Sequence, residues 1–168
     1  MAKAQDTGSV PARRVLGIDL GERRIGVALG DLDARIATPL TTLSRAKTIQ
    51  QDALVISRLA AEQRVAGLVV GLPLDMSGEE GKQAIRTREW AMAVAGATGL
   101  PVRFRDERLS SERAERRIGT PARGRSGGPP TAVQRDGRRA RIDREAAALI
   151  LQDELDAMAS GERESETR

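Results

Sequence analysis

The sequence of 168 residues contains no cysteine, no histidine and no tyrosine. These absences exclude disulfide bonds, thiolate nucleophiles, zinc sites built from cysteine and histidine, and every mechanism that needs an imidazole base. An enzyme of this composition must rely on Asp, Glu, Ser, Thr, Lys and Arg, together with any metal that it binds. Because oxygen ligands favour hard cations, a catalytic metal is predicted to be Mg²⁺ or Mn²⁺.

Aromatic residues and long apolar runs are scarce as well. Trp90 and Phe104 are the only aromatic residues, so a base-stacking platform is poorly supplied and recognition of a partner should depend on charge and shape. No segment approaches the roughly 18 apolar residues of a membrane span, so no membrane partner is predicted. The N-terminus has an acid, Asp6, where a secretory signal has an apolar run, which predicts a cytoplasmic protein.

Positive charge is concentrated in one part of the chain. Residues 113–144 contain ten arginines and three acids, a net charge of +7, which leaves −3 for the rest of a chain whose total is +4. Such a segment is typical of proteins that bind a phosphate backbone, although a solvated arginine-rich loop without a partner is the alternative. The predicted nucleic-acid-binding residues are Arg113, Arg116, Arg117, Arg123, Arg125, Arg138, Arg139 and Arg141.

The order of hydrophobic patterns predicts one α/β domain over residues 13–159, between disordered tails at 1–12 and 160–168. Strands are predicted at 14–20, 24–29, 35–43, 66–72 and 101–106, the first three as an antiparallel meander and the later ones as parallel strands. Helices are predicted at 48–63, 77–97, 110–117 and 143–159. The second helix is expected to begin with a capping box of Ser77 and Glu80, and residues 119–140 are expected to form a flexible loop.

Asp19 is an acid within an otherwise apolar strand. Burying an unpaired carboxylate is costly, so such a residue usually binds a metal or a hydrogen-bond donor. A metal ligand is favoured, because the flanking Gly17 and Gly21 allow a ligand to approach the backbone. A hydrogen bond to a neighbouring turn is the alternative.

Two further acids follow later in the chain. Glu107 comes directly after the predicted fifth strand, and its alternative role is a surface ion pair with Arg105 or Arg108. Asp143 begins the predicted last helix, where Asp is also a common N-cap. Together with Asp19, these carboxylates could converge on a pair of metal ions, with Asp19 bridging them, and hydrolyse a phosphodiester without any histidine.

Four ordered motifs resemble the YqgF/RuvX family over residues of about 14–157. They are Gly17-Ile18-Asp19-Leu20-Gly21 with Arg24-Ile25-Gly26-Val27-Ala28, Val69-Val70-Gly71-Leu72-Pro73-Leu74 with Met76 and Gly78, Asp106-Glu107-Arg108-Leu109-Ser110, and Ile142-Asp143 with residues 146–152. The family has a ribonuclease H-like fold and is described as Holliday junction resolvases or as nucleases that process the 5′ end of precursor 16S ribosomal RNA. The resemblance implies that Asp19, Glu107 and Asp143 are the metal-binding catalytic triad.

Several questions stay open at this point. The predicted activity is metal-dependent phosphodiester hydrolysis on precursor ribosomal RNA or branched DNA, and a non-catalytic RNA-binding assembly factor is the alternative. An actin-like ATPase is disfavoured, because that fold needs two large lobes. Residues 71–81 are interpreted either as the rim of a substrate groove or as a strand end that leads into a helix. The oligomeric state is not predicted.

Overall fold

The computed structural model describes residues 13–108, 110–120 and 128–166, without the side chains of 162–166. The predicted tail at 1–12 lies outside the described residues, as do Arg123 and Arg125.

A five-stranded mixed sheet forms the centre of the fold, as predicted. The strands are β1 Arg14–Leu20, β2 Arg24–Asp31, β3 Ile36–Ser44, β4 Val65–Leu72 and β5 Val102–Asp106, in the spatial order β3-β2-β1-β4-β5. The first three strands pair antiparallel as a meander, and β1, β4 and β5 pair in parallel. The carboxyl ends of β1, β4 and β5 therefore meet at one edge, where α/β proteins commonly place their sites.

Four helices accompany the sheet: α1 Ile49–Gln63, α2 Lys82–Thr98, α3 Ser110–Ile118 and α4 Ala132–Glu166. Helices α1 and α2 cover one face, where Leu16, Ile18 and Leu20 join the main core with Trp90. The N-cap of α1 is Thr48, whose side-chain oxygen accepts a hydrogen bond from the backbone N–H of Gln51.

The other face of the sheet is covered by α4. At Gly17 a Cβ atom would lie 2.6 Å from Leu151 Cβ, and at Gly30 it would lie 2.9 Å from Leu151 Cδ2. Both distances are shorter than Cβ atoms normally show, so glycine at the two positions lets α4 pack directly on the strands. Leu151 is fully buried there in a second apolar cluster with Ala147 and Leu155.

The predicted flexible loop at 119–140 is wrong for its last nine residues, because α4 begins at Ala132 and not at Asp143. Thr131 and Gln134 form a reciprocal capping box in which each side-chain oxygen accepts a hydrogen bond from the backbone N–H of the other residue. Asp143 is therefore an interior residue of a long helix and not its N-cap. The predicted tail at 160–168 is also wrong for 160–166, which continue α4.

The start of the second helix also differs from its prediction. Helix α2 begins at Lys82 after Gly81, which makes no side-chain cap, so the expected capping box of Ser77 and Glu80 is not formed. The Ser77 hydroxyl donates instead to Asp75 Oδ1 at 2.6 Å, within the loop that follows β4.

None of the described helices is long and apolar enough to cross a membrane.

Candidate active site

Asp19 lies near the carboxyl end of β1 and faces α4. Side chains alternate along a strand, and Ile18 and Leu20 on either side point into the core beneath α1 and α2. On β2 the register partner of Asp19 is Gly26. On the other side Ile18 pairs with Val70, which brings Gly71 of β4 beside Asp19. Asp19 thus has a glycine on each neighbouring strand.

The glycine on β2 makes room for Asp143. A Cβ atom at Gly26 would lie 2.0 Å from the backbone oxygen of Asp143, so the backbone of α4 rests directly on this strand. Because Gly26 is the register partner of Asp19, this contact brings Asp143 close to Asp19. A side chain at residue 26 would push the helix and its acid away.

The glycine on β4 makes room for Glu107. A Cβ atom at Gly71 would lie 2.3 Å from Glu107 Oε2, so the carboxylate occupies the space that a side chain would fill. The backbone N–H of Glu107 donates to the Leu72 oxygen at 3.2 Å, which fixes the residue at the end of the sheet. The structure thus places Glu107 on one side of Asp19 and Asp143 on the other.

Two carboxyl groups of this site, those of Asp19 and Glu107, have raised pKa values. Burial raises the pKa of Asp19 from 3.8 to about 7, and the charge of Asp143 adds to the effect. Burial likewise raises the pKa of Glu107 from 4.5 to about 8, followed by repulsion from Asp19 and then Asp106. Such shifts are expected where carboxylates share a site without a compensating cation.

Glu107 does not form the surface ion pair that was its alternative interpretation. Arg105 lies 3.6 Å from Glu154, and Arg108 lies 2.6 Å from Asp106. Glu107 Oε2 is buried and has no hydrogen-bond partner among the described residues. The Asp19 side chain likewise makes no hydrogen bond within the described part of the chain, so neither acid serves an internal polar contact.

Unlike Asp19 and Glu107, Asp143 already has a cationic partner. Arg24, the first residue of β2, donates from Nε to Asp143 Oδ2 at 2.5 Å, and both side chains are about one quarter exposed, at 26% and 25%. Arg24 begins the Arg24-Ile25-Gly26-Val27-Ala28 part of the first motif, but no feature of the sequence indicates a role at the site. Across residues 13–108, 110–120 and 128–166, no three acids are grouped so that they could hold a metal ion as they stand.

The chemistry of the donors nevertheless suits a divalent cation. All three side chains offer carboxylate oxygens, which hard cations prefer. A cation between Asp19 and Glu107 would give the buried Glu107 Oε2 a partner and would offset the negative charge of Asp19, which helps to raise the pKa of Glu107. Asp143 can join these two acids if its carboxylate turns away from Arg24.

The arginines of α3 are engaged within the protein. Arg113 donates to Asp153 and Arg117 to Glu145, and both of these acids belong to α4. Arg116 pairs with Glu112 one turn earlier in α3. These three predicted phosphate-binding residues therefore already have acidic partners, and two of them hold α3 against α4.

The arginines at the beginning of α4 line an open pocket of about 780 Å³ beside the end of α3. Arg139 and Arg141 have no hydrogen-bond or ion-pair partner among the described residues, whereas Arg138 donates to the Gly119 oxygen at 3.0 Å. Arg135 and Arg144 also line the pocket, although they were not among the predicted binding residues. One helix therefore contributes both Asp143 and a basic surface next to it.

Solved structures share this fold. A structure described as "T. thermophilus RuvC in complex with Holliday junction substrate" superposes with a TM-score of 0.51 and 16% sequence identity, covering 87% of this chain and 95% of that chain. A second structure, "Thermus thermophilus RuvC structure", gives the same TM-score of 0.51 at 14% identity and covers 88% of this chain and 96% of that chain. The fold is therefore ribonuclease H-like, as predicted.

Other proteins have a higher sequence identity to this chain than these solved structures have. A protein of Chloroflexus aggregans named "Putative pre-16S rRNA nuclease" is 44% identical over 143 residues, which cover 85% of this chain and 93% of that protein. One of Agrobacterium fabrum with the same name is 39% identical over 150 residues, covering 89% and 87%. Residues 13–157 match the family described as "RuvX: Holliday junction resolvase", and the chain belongs to this family.

Proposed function

We propose that this chain is a metal-dependent nuclease that hydrolyses phosphodiester bonds, and that it processes the 5′ end of precursor 16S ribosomal RNA in the cytoplasm. The observation that carries the proposal is the arrangement of Asp19 between two glycines whose empty side-chain positions admit Glu107 and Asp143. The names of the relatives indicate the RNA substrate.

The metal ligands in this proposal are Asp19, Glu107 and Asp143, and the metal is Mg²⁺ or Mn²⁺. When bound, divalent ions supply activation of water and stabilisation of charge on the leaving oxygen. Asp19 and Glu107 contribute carboxylates that lack any other partner, and Asp143 contributes a third once it leaves Arg24. The released Arg24 guanidinium then becomes available to a phosphate oxygen of the substrate.

The basic surface next to the acids would bind the backbone that flanks the cut. Arg139 and Arg141 are the best candidates for phosphate contacts, because both are exposed and have no partner among the described residues. Arg138 and Arg144 line the same pocket, while Arg113, Arg116 and Arg117 would have to exchange an acidic partner for a phosphate. The roles of Arg123 and Arg125 remain predictions from the sequence.

A cleavage assay tests this proposal. Purified protein is incubated with precursor 16S ribosomal RNA and either Mn²⁺ or EDTA, and the products are mapped at the 5′ end. We expect the wild-type protein to cleave the RNA in Mn²⁺ but not in EDTA. Asp19→Asn should not cleave it in either condition, and circular dichroism checks that this variant is folded. Normal binding of the RNA without cleavage under any metal would favour the alternative of a non-catalytic assembly factor.

Resolution of Holliday junctions is the second candidate function. The family description and the RuvC structure with a bound junction favour it. A synthetic four-way junction is therefore assayed beside the ribosomal precursor. Symmetric nicking of the junction, with the precursor left intact, would replace the first candidate by the second without changing the proposed residues.

A further inference from the structure

The loop between β4 and α2, residues 73–81, borders the candidate active site. It leaves the sheet at Leu72, whose backbone oxygen accepts a hydrogen bond from the Glu107 N–H. Near its tip, the position of a Cβ on Gly78 lies 4.0 Å from Nη1 of Arg108, the residue after Glu107. The tip of this loop therefore lies against the segment that carries one of the three acids.

Internal hydrogen bonds give the loop a defined shape. Asp75 Oδ1 accepts from the Ser77 N–H at 2.9 Å, the Ser77 hydroxyl at 2.6 Å and the Glu79 N–H at 2.8 Å. The Asp75 N–H donates to the Glu79 oxygen at 2.9 Å, which closes the turn. Gly78 adopts a left-handed conformation with φ of 88°. Residue 76 is thus presented at the tip of a built turn.

That residue is Met76, and its side chain is 90% exposed. It is the most exposed of the large apolar side chains in the described part of the chain. A single exposed apolar residue is common on protein surfaces and needs no explanation by itself. Its place on the loop whose Gly78 lies against Arg108, at the edge of a proposed nuclease site, is what gives this one a candidate partner.

The two aromatic residues of the chain are both engaged within the fold. Trp90 is 1% exposed and its indole N–H donates to Asp52 at 3.0 Å in the core. Phe104 is covered by the Arg88 guanidinium, which lies 4.4 Å from the centre of its ring. Methionine is among the apolar residues that proteins place against bases or insert between them. Within the loop 73–81, Pro73 and Leu74 are partly buried, and Met76 is the exposed apolar side chain.

We propose that Met76 packs against an unpaired nucleobase next to the phosphodiester that is cut, with Arg108 beside it. This inference rests on the proposed nuclease function and specifies its substrate: a strand with at least one base free to leave its stack. Bases that are held in a continuous duplex cannot reach an exposed methionine at the tip of a loop without unstacking, which costs a few kcal/mol per step.

Binding of a short RNA hairpin with a single-stranded 5′ tail tests the proposal, in EDTA so that nothing is cut. Fluorescent 2-aminopurine replaces each tail base in turn, and affinities are measured for wild type, Met76→Ala, Met76→Leu and Met92→Ala. Met92 is the matched control, because it is 62% exposed but lies on α2, which covers the opposite face of the sheet. Both methionines are exposed, so neither alanine variant should impair folding.

We expect one tail position to change its fluorescence on binding to wild type and to Met92→Ala. Met76→Ala should lose that change and bind about fivefold more weakly, at the low end of the effects seen for single base contacts, and Met76→Leu should resemble wild type. Removing the base at that position should weaken wild-type binding by the same factor and should not weaken Met76→Ala further.

Three results would overturn the inference. If Met76→Ala binds as tightly as wild type, the side chain contacts no base. If Met76→Ala binds intact and abasic RNA more weakly than wild type by the same factor, the substitution does not act by removing a contact with the base. If wild type binds the RNA equally tightly with and without the base at that tail position, the base makes no contact that contributes to binding. A wild-type protein that binds neither this RNA nor the corresponding DNA would remove the proposed function as well, which separates the two failures.

Discussion

Replacing Glu107 by glutamine should stabilise the protein at alkaline pH in the absence of metal. The folded state raises the pKa of this carboxyl from 4.5 to about 8, chiefly through burial and then through repulsion from Asp19. A group with a raised pKa contributes its full stability below the unfolded value and loses it as the pH rises through the folded value. The wild-type protein should therefore lose stability between about pH 4.5 and pH 8, and Glu107→Gln should not.

The size of the effect follows from the shift. If the group titrated alone, the rise from 4.5 to about 8 would correspond to roughly 5 kcal/mol. Because the charge of Asp19 contributes to the raised pKa of Glu107, part of this energy belongs to the pair, and we expect about 2 kcal/mol for the single substitution. In a protein of this size, that difference corresponds to a rise in Tm of about 4–8 °C.

Thermal and urea unfolding of both proteins at pH 5 and pH 9, in EDTA, measure the difference. At pH 5 the two should agree within about 1 kcal/mol, because the carboxyl of the folded wild-type protein is then neutral and only the unfolded state has begun to ionise. Glu62→Gln, at an exposed position on α1, serves as the control and should be equal to wild type at both pH values. A Glu107→Gln variant that is less stable at pH 9, or equally shifted at both pH values, would refute the reasoning.

The remaining predictions concern the neighbours of the site. Gly26→Ala should cost about 1–3 kcal/mol of stability and reduce cleavage, because the new Cβ would lie 2.0 Å from the backbone oxygen of Asp143. Gly137→Ala, whose Cβ would have nothing within 4 Å, should instead raise stability by about 0.5–1 kcal/mol. Similar Tm values for the two variants would contradict this. Arg24→Gln should tighten Mn²⁺ binding about tenfold in calorimetry by removing a competing cation, and weaker binding would show that Arg24 instead orients Asp143. Arg139→Gln should lower the slope of log affinity for single-stranded RNA against log salt by about 0.7, and an unchanged slope would exclude a phosphate contact.

The sheet could be predicted from the sequence because its signals are local. Strand β1 occupies the predicted residues, and the meander and the later parallel strands form as expected. Strands β1 and β4 are short apolar runs followed directly by glycine or proline, which identifies them without knowledge of their neighbours.

The beginning of α4 could have been predicted but was not. Glycine, proline and arginine between 119 and 140 suggested a loop, although Thr131 and Gln134 are spaced as a capping box directly before Ala132. A single glycine inside a helix costs only about 1 kcal/mol relative to alanine, so Gly137 does not end the helix.

The arrangement of the site could be predicted only in part. The three acids stand out from their sequence contexts, and the family resemblance joins them. The roles of Gly26 and Gly71 depend on the register of β2 and β4 against β1 and on the path of α4 across the sheet, none of which is encoded locally. The same holds for Arg24, which meets Asp143 across 119 residues of sequence.

The most direct test of the central claim is the position of manganese in a crystal of this protein, measured by anomalous scattering after soaking in Mn²⁺. The account predicts metal bound by carboxylate oxygens of Asp19, Glu107 and Asp143, at roughly 2.0–2.3 Å, with Arg24 moved away from Asp143. Manganese bound elsewhere, or a metal-loaded site in which Glu107 takes no part, would contradict it.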